Sequence, residues 1–248
     1  MDWSAIEDLQ TILLKTYEGF GYRDPWFLRE FVGLINHLKP TAIVETGTYK
    51  GGMIKFLSIV FKNLHIFSCD VIDVGKVKRE FISSKNIYIE QCDSVSFLKK
   101  LDGMIGKFPF FFLDAHVTVE TEQDVKNINP LPNEIDIITK LYPKAIICVH
   151  DFEVPNTPIF GHGSIDFVTG QKVLINWQSI EAKLHNTKFS SWLPFFPARS
   201  LQMGRLDWKG VFDLRGRLYL ILNPTKEMLR DMAVLENFGV LWKFKENL

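Results

Sequence analysis

From residue 42 onward, short apolar runs alternate with stretches in which apolar residues return every three or four positions. The runs at 42–45, 65–70, 87–92, 110–114 and 145–150 predict five strands. The intervening stretches at 52–61, 74–82, 94–101 and 133–141 predict helices. Strands that alternate with helices, and that are apolar along their whole length, belong to a parallel sheet covered on both faces. Residues 1–40 read as helical, with Ile6, Leu9, Ile12 and Leu13 at helical spacing and a second apolar stretch after Pro25. Beyond Asp151 the pattern loosens. Residues 152–170 read as loop, 173–184 as a helix, and 190–217 as aromatic and irregular. A strand at 217–222, a helix at 226–235 and a strand around 240–244 close the chain, and one of the two strands is expected to run antiparallel. The predicted fold is α/β: a doubly wound, mostly parallel, seven-stranded sheet with helices on both faces and an N-terminal helical extension. Residues 1–40 form the helical segment. Residues 41–248 form the sheet domain, with insertions at 117–132 and 152–210.

The first predicted strand leads into Val44-Glu45-Thr46-Gly47-Thr48-Tyr49-Lys50-Gly51-Gly52. A dinucleotide fingerprint has Gly-x-Gly-x-x-Gly at this point, so that a pyrophosphate can approach the helix N-terminus. Here Glu45 replaces the first glycine. A carboxylate there repels a pyrophosphate but suits a ligand with an amino group and a sulfonium cation. Every predicted strand ends at or just before an acid: Glu45, Asp70, Asp93, Asp114 and Asp151. In open α/β sheets ligands bind beyond the carboxyl ends of the strands, so these acids share one edge. Asp70, one βαβ unit after Glu45, is placed to accept from ribose hydroxyls or to cap the helix near Val74. Asp93-Ser94 is placed to meet an adenine amine or to start a helix.

In motif order and spacing, residues 41–151 resemble the cofactor half of class I S-adenosylmethionine (SAM) dependent methyltransferases, which are Rossmann-like. The Glu-Thr-Gly-Thr-Tyr-Lys-Gly-Gly, Phe-Leu-Asp-Ala-His and Val-His-Asp-Phe runs more narrowly resemble macrocin O-methyltransferase and cephalosporin-hydroxylase-like enzymes. The resemblance covers under half the chain. It implies SAM as cofactor, with Glu45, Gly47, Thr48, Tyr49 and Gly51 shaping the methionine pocket. It further implies Asp70 at the ribose, Asp93 and Ser94 at the adenine, and Asp114 near the methionine end. It also implies a divalent cation such as Mg²⁺ on Asp114 and Asp151. His150 departs from that pattern, because it stands where a second acid would be convenient and suits a softer metal or none.

Methyl transfer to oxygen needs reactants held in line and a base for the acceptor proton. His116 and His150 follow neighbouring strands and are the candidate bases, with Asp151 beside them. His162 is read as exposed, and Glu134 as a first-turn helix acid. The cluster from Trp192 to Trp208 is read as a pocket lining or an interface between copies.

Composition narrows the function classes. Lys plus Arg equals Asp plus Glu at 29 each, so no net field draws the chain to nucleic acid or anionic lipid. No apolar run is long enough to span a bilayer, and the acidic N-terminus does not read as a secretory signal. Cys69, Cys92 and Cys148 lack metal-ligand spacing and read as core thiols in a reducing cytosol. The expected partner is a small molecule bearing a hydroxyl, and self-association into a homo-oligomer is left open. Two other readings stay in view. One is a Rossmann-type oxidoreductase, weakened by the missing glycine fingerprint. The other is a SAM-binding fold that has lost catalysis and serves as a subunit or binding module.

Overall fold

The computed structural model describes residues 25–115, 129–155, 164–165, 172–173, 175–194, 216–238 and 240–248. Helix α1 (Pro25–Leu38) precedes the sheet. The alternating half then runs β1 (Ala42–Thr46), α2 (Gly52–Val60), β2 (His65–Asp70), α3 (Gly75–Glu80), β3 (Ile87–Gln91), α4 (Ser94–Lys100), β4 (Phe110–Leu113), α5 (Leu131–Leu141) and β5 (Ile146–His150). A two-stranded ribbon of β6 (Ser164–Ile165) and β7 (Lys172–Val173) follows. The chain ends with α6 (Trp177–Ile180, continued by one 3₁₀ turn), β8 (Phe189–Pro194), β9 (Arg217–Leu222), α7 (Lys226–Asn237) and β10 (Leu241–Asn247).

The main sheet has the order β3-β2-β1-β4-β5-β9-β8-β10. Strands β1 to β5 are parallel, and β9 pairs antiparallel with β5. β8 is antiparallel to β9, and β10 to β8, so β9 and β10 both run against the parallel set. The doubly wound α/β fold expected from the pattern is therefore present. Two details differ. The main sheet has eight strands among the described residues, not seven, and 189–194 is a strand rather than irregular chain. Its sequence Phe189-Ser190-Ser191-Trp192-Leu193-Pro194 shows no alternation because the strand is buried on both faces. Trp192 is part of the sheet core, at 2% exposure, which corrects its reading as pocket or interface lining. The helix expected over 173–184 is confined to Trp177–Ile180 and its 3₁₀ turn, because Lys172–Val173 pairs as a strand.

Burial falls at the sheet edges, as a covered sheet requires. β1, β4, β5, β8 and β9 are buried throughout, while β3 and β10 are partly open. The β10 edge carries Lys243, Lys245 and Glu246, charges that discourage pairing with another chain. Strand alternation then divides the interior into two layers. Val44, Phe111, Leu113, Ile147, Val149, Leu218 and Leu220 pack with residues of α4, α5 and α6. Ile43, Phe110, Phe112, Ile146, Cys148, Tyr219 and Ile221 pack with residues of α1, α2 and α7. Helix α1 enters the second layer through Phe27, Phe31, Leu34, Ile35 and Leu38, one helical stripe.

Of the three cysteines, Cys69 and Cys148 are buried, Cys92 is partly exposed, and all are free thiols. No helix among the described residues is long and apolar enough to cross a membrane.

Candidate active site at the strand ends

The strand order reverses between β1 and β4, and the loops after these strands meet at that switch point, where open α/β sheets form their ligand crevice. On the β1 side, Gly47 and Thr48 both donate their N–H groups to the Cys69 carbonyl, at 2.9 and 3.0 Å. The turn closes with Gly51 N–H on the Thr48 carbonyl at 2.9 Å. Gly47 has φ +95°, and a Cβ there would lie 2.3 Å from the Asp114 carbonyl oxygen. The two loops thus touch through a position only glycine can occupy. Gly51, at φ +77°, starts α2 with no side-chain cap, and a Cβ on it would strike Val77.

Glu45 is 1% exposed. Ser68, its register partner on β2, donates a short hydrogen bond to its carboxyl, and Thr48 and Ser68 share a 2.6 Å hydroxyl contact. Burial, with the Asp114 and Asp70 charges adding, pushes the Glu45 carboxyl up to about 8 despite the Ser68 bond. Asp70 does not cap the helix near Val74. Its oxygens accept from Tyr49 N–H at 2.7 Å and Ile72 N–H at 3.2 Å, so it ties the two loops together. Burial raises its pKa, while these backbone bonds oppose the rise.

The other predicted cofactor residues are less alike. Tyr49 is half-buried at φ 46° and carries the amide that Asp70 holds. Thr48 spends its hydroxyl on Ser68 within the fold. Asp93 is exposed and caps α4, accepting from Ser96 N–H at 2.8 Å, while Ser94 is buried in the first turn. The helix-start reading of Asp93 is thus the observed one, with its second oxygen outside that bond.

Across the crevice, Asp114, His150 and Asp151 converge. His150 Nδ1 lies 3.1 Å from Asp114 Oδ1 and 3.5 Å from Asp151 Oδ1. One donor atom from each of the three fits within 4.8 Å of the other two. Consecutive residues of an extended strand point to opposite faces, so His150 and Asp151 converge only where the backbone leaves β geometry. Asp151 has φ 53°, and this left-handed turn directs its carboxylate back beside the imidazole. The turn is fixed from behind: Phe152 N–H donates to the Gly216 carbonyl at 2.9 Å, and a Cβ on Gly216 would lie 1.9 Å from the Phe152 carbonyl oxygen. His150 is 4% exposed and packs edge-on against Phe27 and Phe112, with ring centroids 6.0 and 5.6 Å away.

Three members of this region, Arg217, Glu30 and Tyr219, were not foreseen from sequence. Arg217 opens β9 directly opposite His150 and is fully buried. Its Nε and Nη2 donate to the Glu30 carboxylate of α1 at 3.0 and 3.2 Å, and Tyr219 Oη donates to the same group at 2.7 Å. The only sequence sign was an acid at position 30 on the apolar stripe of α1, spaced three from Phe27. Glu134 lies in the first turn of α5, as expected, but is buried beside a small cavity lined by Leu113, Ala115, Leu131, Val149 and His150. His116 and His162 lie outside the described residues, as do Phe195, Phe196 and Trp208 of the predicted aromatic cluster.

No protein-family model matches this chain, and no curated protein matches it. Among solved structures, it is similar to the 1,6-didemethyltoxoflavin-N1-methyltransferase of Burkholderia thailandensis, at 12% identity over 90% of this chain and 89% of that one, with a TM-score of 0.44. It is similar to the N-methyltransferase NodS of Bradyrhizobium japonicum at 10% identity over 82% and 89%, with a TM-score of 0.43. The spermidine synthase of Thermotoga maritima, at 12% identity over 85% of this chain and 64% of that one, gives a TM-score of 0.46. At such identities and scores the likeness is one of general course.

Proposed function

We propose that this chain is a SAM-dependent methyltransferase that methylates a hydroxyl of a small molecule. The observation that carries the reading is the set of residues that meet at the switch point. A buried acid, Glu45, stands on one wall, a histidine oriented by a carboxylate stands on the other, and Gly47 packs the walls together. The residues present fit SAM on two counts. Glu45 meets a cationic group rather than a phosphate. Asp70 sits at the end of the next strand, in reach of sugar hydroxyls. Bound SAM would supply a methyl group on a sulfonium, which is electrophilic without further activation.

The protein's own work is then to align the acceptor and take its proton. With Nδ1–H of His150 donated to Asp114, the neutral imidazole leaves Nε2 unprotonated, and Nε2 is the nitrogen assigned to take the hydroxyl proton. Asp114 orients the ring and stabilises the imidazolium that results. The aromatic packing of Phe27 and Phe112 excludes water from the ring's flanks.

A divalent metal is the second reading, favoured by the convergence of Asp114, His150 and Asp151. Two carboxylates with one imidazole fit a borderline transition ion better than Mg²⁺, which prefers an all-oxygen octahedron. When bound, such an ion would lower the acceptor hydroxyl's pKa. Titration calorimetry with S-adenosylhomocysteine, alone and with Mg²⁺ or Mn²⁺, tests both readings. Micromolar binding supports the cofactor. An Mn²⁺-dependent gain supports the metal. No binding under any condition overturns the methyltransferase reading.

A further inference from the structure

A fully buried Arg–Glu pair is weak evidence for stability, because apolar residues of similar volume fill such a site as well or better. Glu30, Arg217 and Tyr219 are nonetheless held together in the apolar layer between α1 and the sheet. Their location supplies the reason. Arg217 is the register partner of His150, so the two side chains leave the same face of neighbouring strands. The guanidinium lies 5.2 Å from the centroid of Phe27, and the Phe27 ring meets His150 edge-on. Glu30 is one turn from Phe27 on α1, so the ion pair fixes the helix position that sets Phe27.

We propose that Glu30, Arg217 and Tyr219 are positioning residues for His150. They clamp α1 onto β9, and the clamped Phe27 and Arg217 close one side of the imidazole so that Nδ1 faces Asp114. The planar fork of Arg217 matters here. It makes two bonds to Glu30 while its central carbon stays over the Phe27 ring, and a lysine has no such fork. The purpose assigned to the clamp rests on the methyl-transfer reading, but its effect on the ring is observable without turnover.

The test is long-range ¹H–¹⁵N imidazole spectroscopy of the full chain, with the His150 signals assigned by their loss in His150→Gln. The wild type should show a single fixed tautomer protonated at Nδ1. Three variants are compared: Arg217→Lys, Glu30→Asp, and the triple Glu30→Met, Arg217→Met, Tyr219→Phe. The triple variant should melt at or above the wild-type temperature, because nothing charged is left buried. Its His150 ring-nitrogen signals should collapse toward a tautomer average. Arg217→Lys should show the same collapse in part, and Glu30→Asp should recover most of the wild-type spectrum. A folded triple variant, or a folded Arg217→Lys if the triple fails to fold, with wild-type His150 signals overturns the proposal. Parallel calorimetry with S-adenosylhomocysteine separates the two claims. Absent wild-type binding removes the methyl-transfer reading and leaves the clamp to the spectra. Intact binding in a variant with a collapsed His150 signature supports the clamp.

Discussion

The two walls of the crevice are built by different means. The β1–β2 wall is made from two short stretches, residues 45–51 and 68–70, whose polar groups satisfy one another. Glu45, Ser68 and Thr48 form a closed chain, and Asp70 holds the Tyr49 amide. The β4–β5 wall draws its side chains from α1, β4, β5 and β9, with Glu30 and Arg217 separated by 187 positions. The first wall is a local turn whose geometry the sequence dictates. The second exists only after the sheet has closed through β9. Under the proposed function, the first wall recognises its ligand through locally built backbone, while reactivity on the second depends on long-range packing.

The change expected to damage the first wall most is Gly47→Ala. The left-handed φ and the 2.3 Å approach to the Asp114 carbonyl leave no place for a methyl group, so the two loops must separate. A stability loss of about 3 kcal/mol or more should accompany loss of S-adenosylhomocysteine binding, read by denaturant melts and calorimetry. A variant with wild-type stability would mean the loops do not need their contact.

On the second wall the matching change is Arg217→Ala. It strands the Glu30 carboxylate in an apolar layer, and removing one partner of a buried pair costs roughly 3–5 kcal/mol. Because the first wall is built without Arg217, ligand affinity measured well below the new melting temperature should stay within a few-fold of wild type. A large affinity loss at intact fold would show that the walls are coupled more tightly than their contacts indicate.

This division explains how far the sequence could be read. The five parallel strands and the Glu45–Gly51 turn announce themselves, because an apolar run followed by acid and glycine is a local signal. Asp114, His150 and Asp151 were placed on one edge by the same logic, since each ends a strand. The left-handed turn at Asp151 that makes them converge leaves no mark, because Asp is ordinary after any strand. β8 was hidden because Ser190 and Ser191, both fully buried, read as polar loop. Arg217 was hidden for the opposite reason: an arginine before Leu218-Tyr219-Leu220 reads as a flanking surface charge, and only pairing with β5 puts it inside.

A smaller effect separates binding from folding within the first wall. Asp70→Asn keeps an oxygen for the Tyr49 amide at 2.7 Å but removes the charge that ribose hydroxyls would meet. Stability should move by about 1 kcal/mol, while S-adenosylhomocysteine affinity falls roughly tenfold. Unchanged affinity would take Asp70 out of the ribose role and leave it as the strut of the loop alone.

The mildest perturbation is pH, and it acts on Glu45. Its carboxyl is raised from an ordinary value of 4.5 to about 8, so between those values the empty folded protein binds a proton that the unfolded chain does not. This group's contribution is therefore fully present below pH 4.5 and is lost as pH rises through about 8. The slope is at most about 1.4 kcal/mol per pH unit. Glu45→Gln should flatten that dependence, and its stability advantage over wild type should grow with pH across the same window. A cationic ligand reverses the preference, because it favours the ionised carboxylate. Binding below pH 8 should then release a proton, and affinity should rise toward pH 8, as calorimetry in buffers of different ionisation enthalpy would register. Binding with no proton release would leave Glu45 protonated beside the ligand. Its place at the head of the turn would then belong to the Ser68–Thr48 hydrogen-bond chain, and the choice of a cation over a phosphate would have to come from elsewhere on that wall.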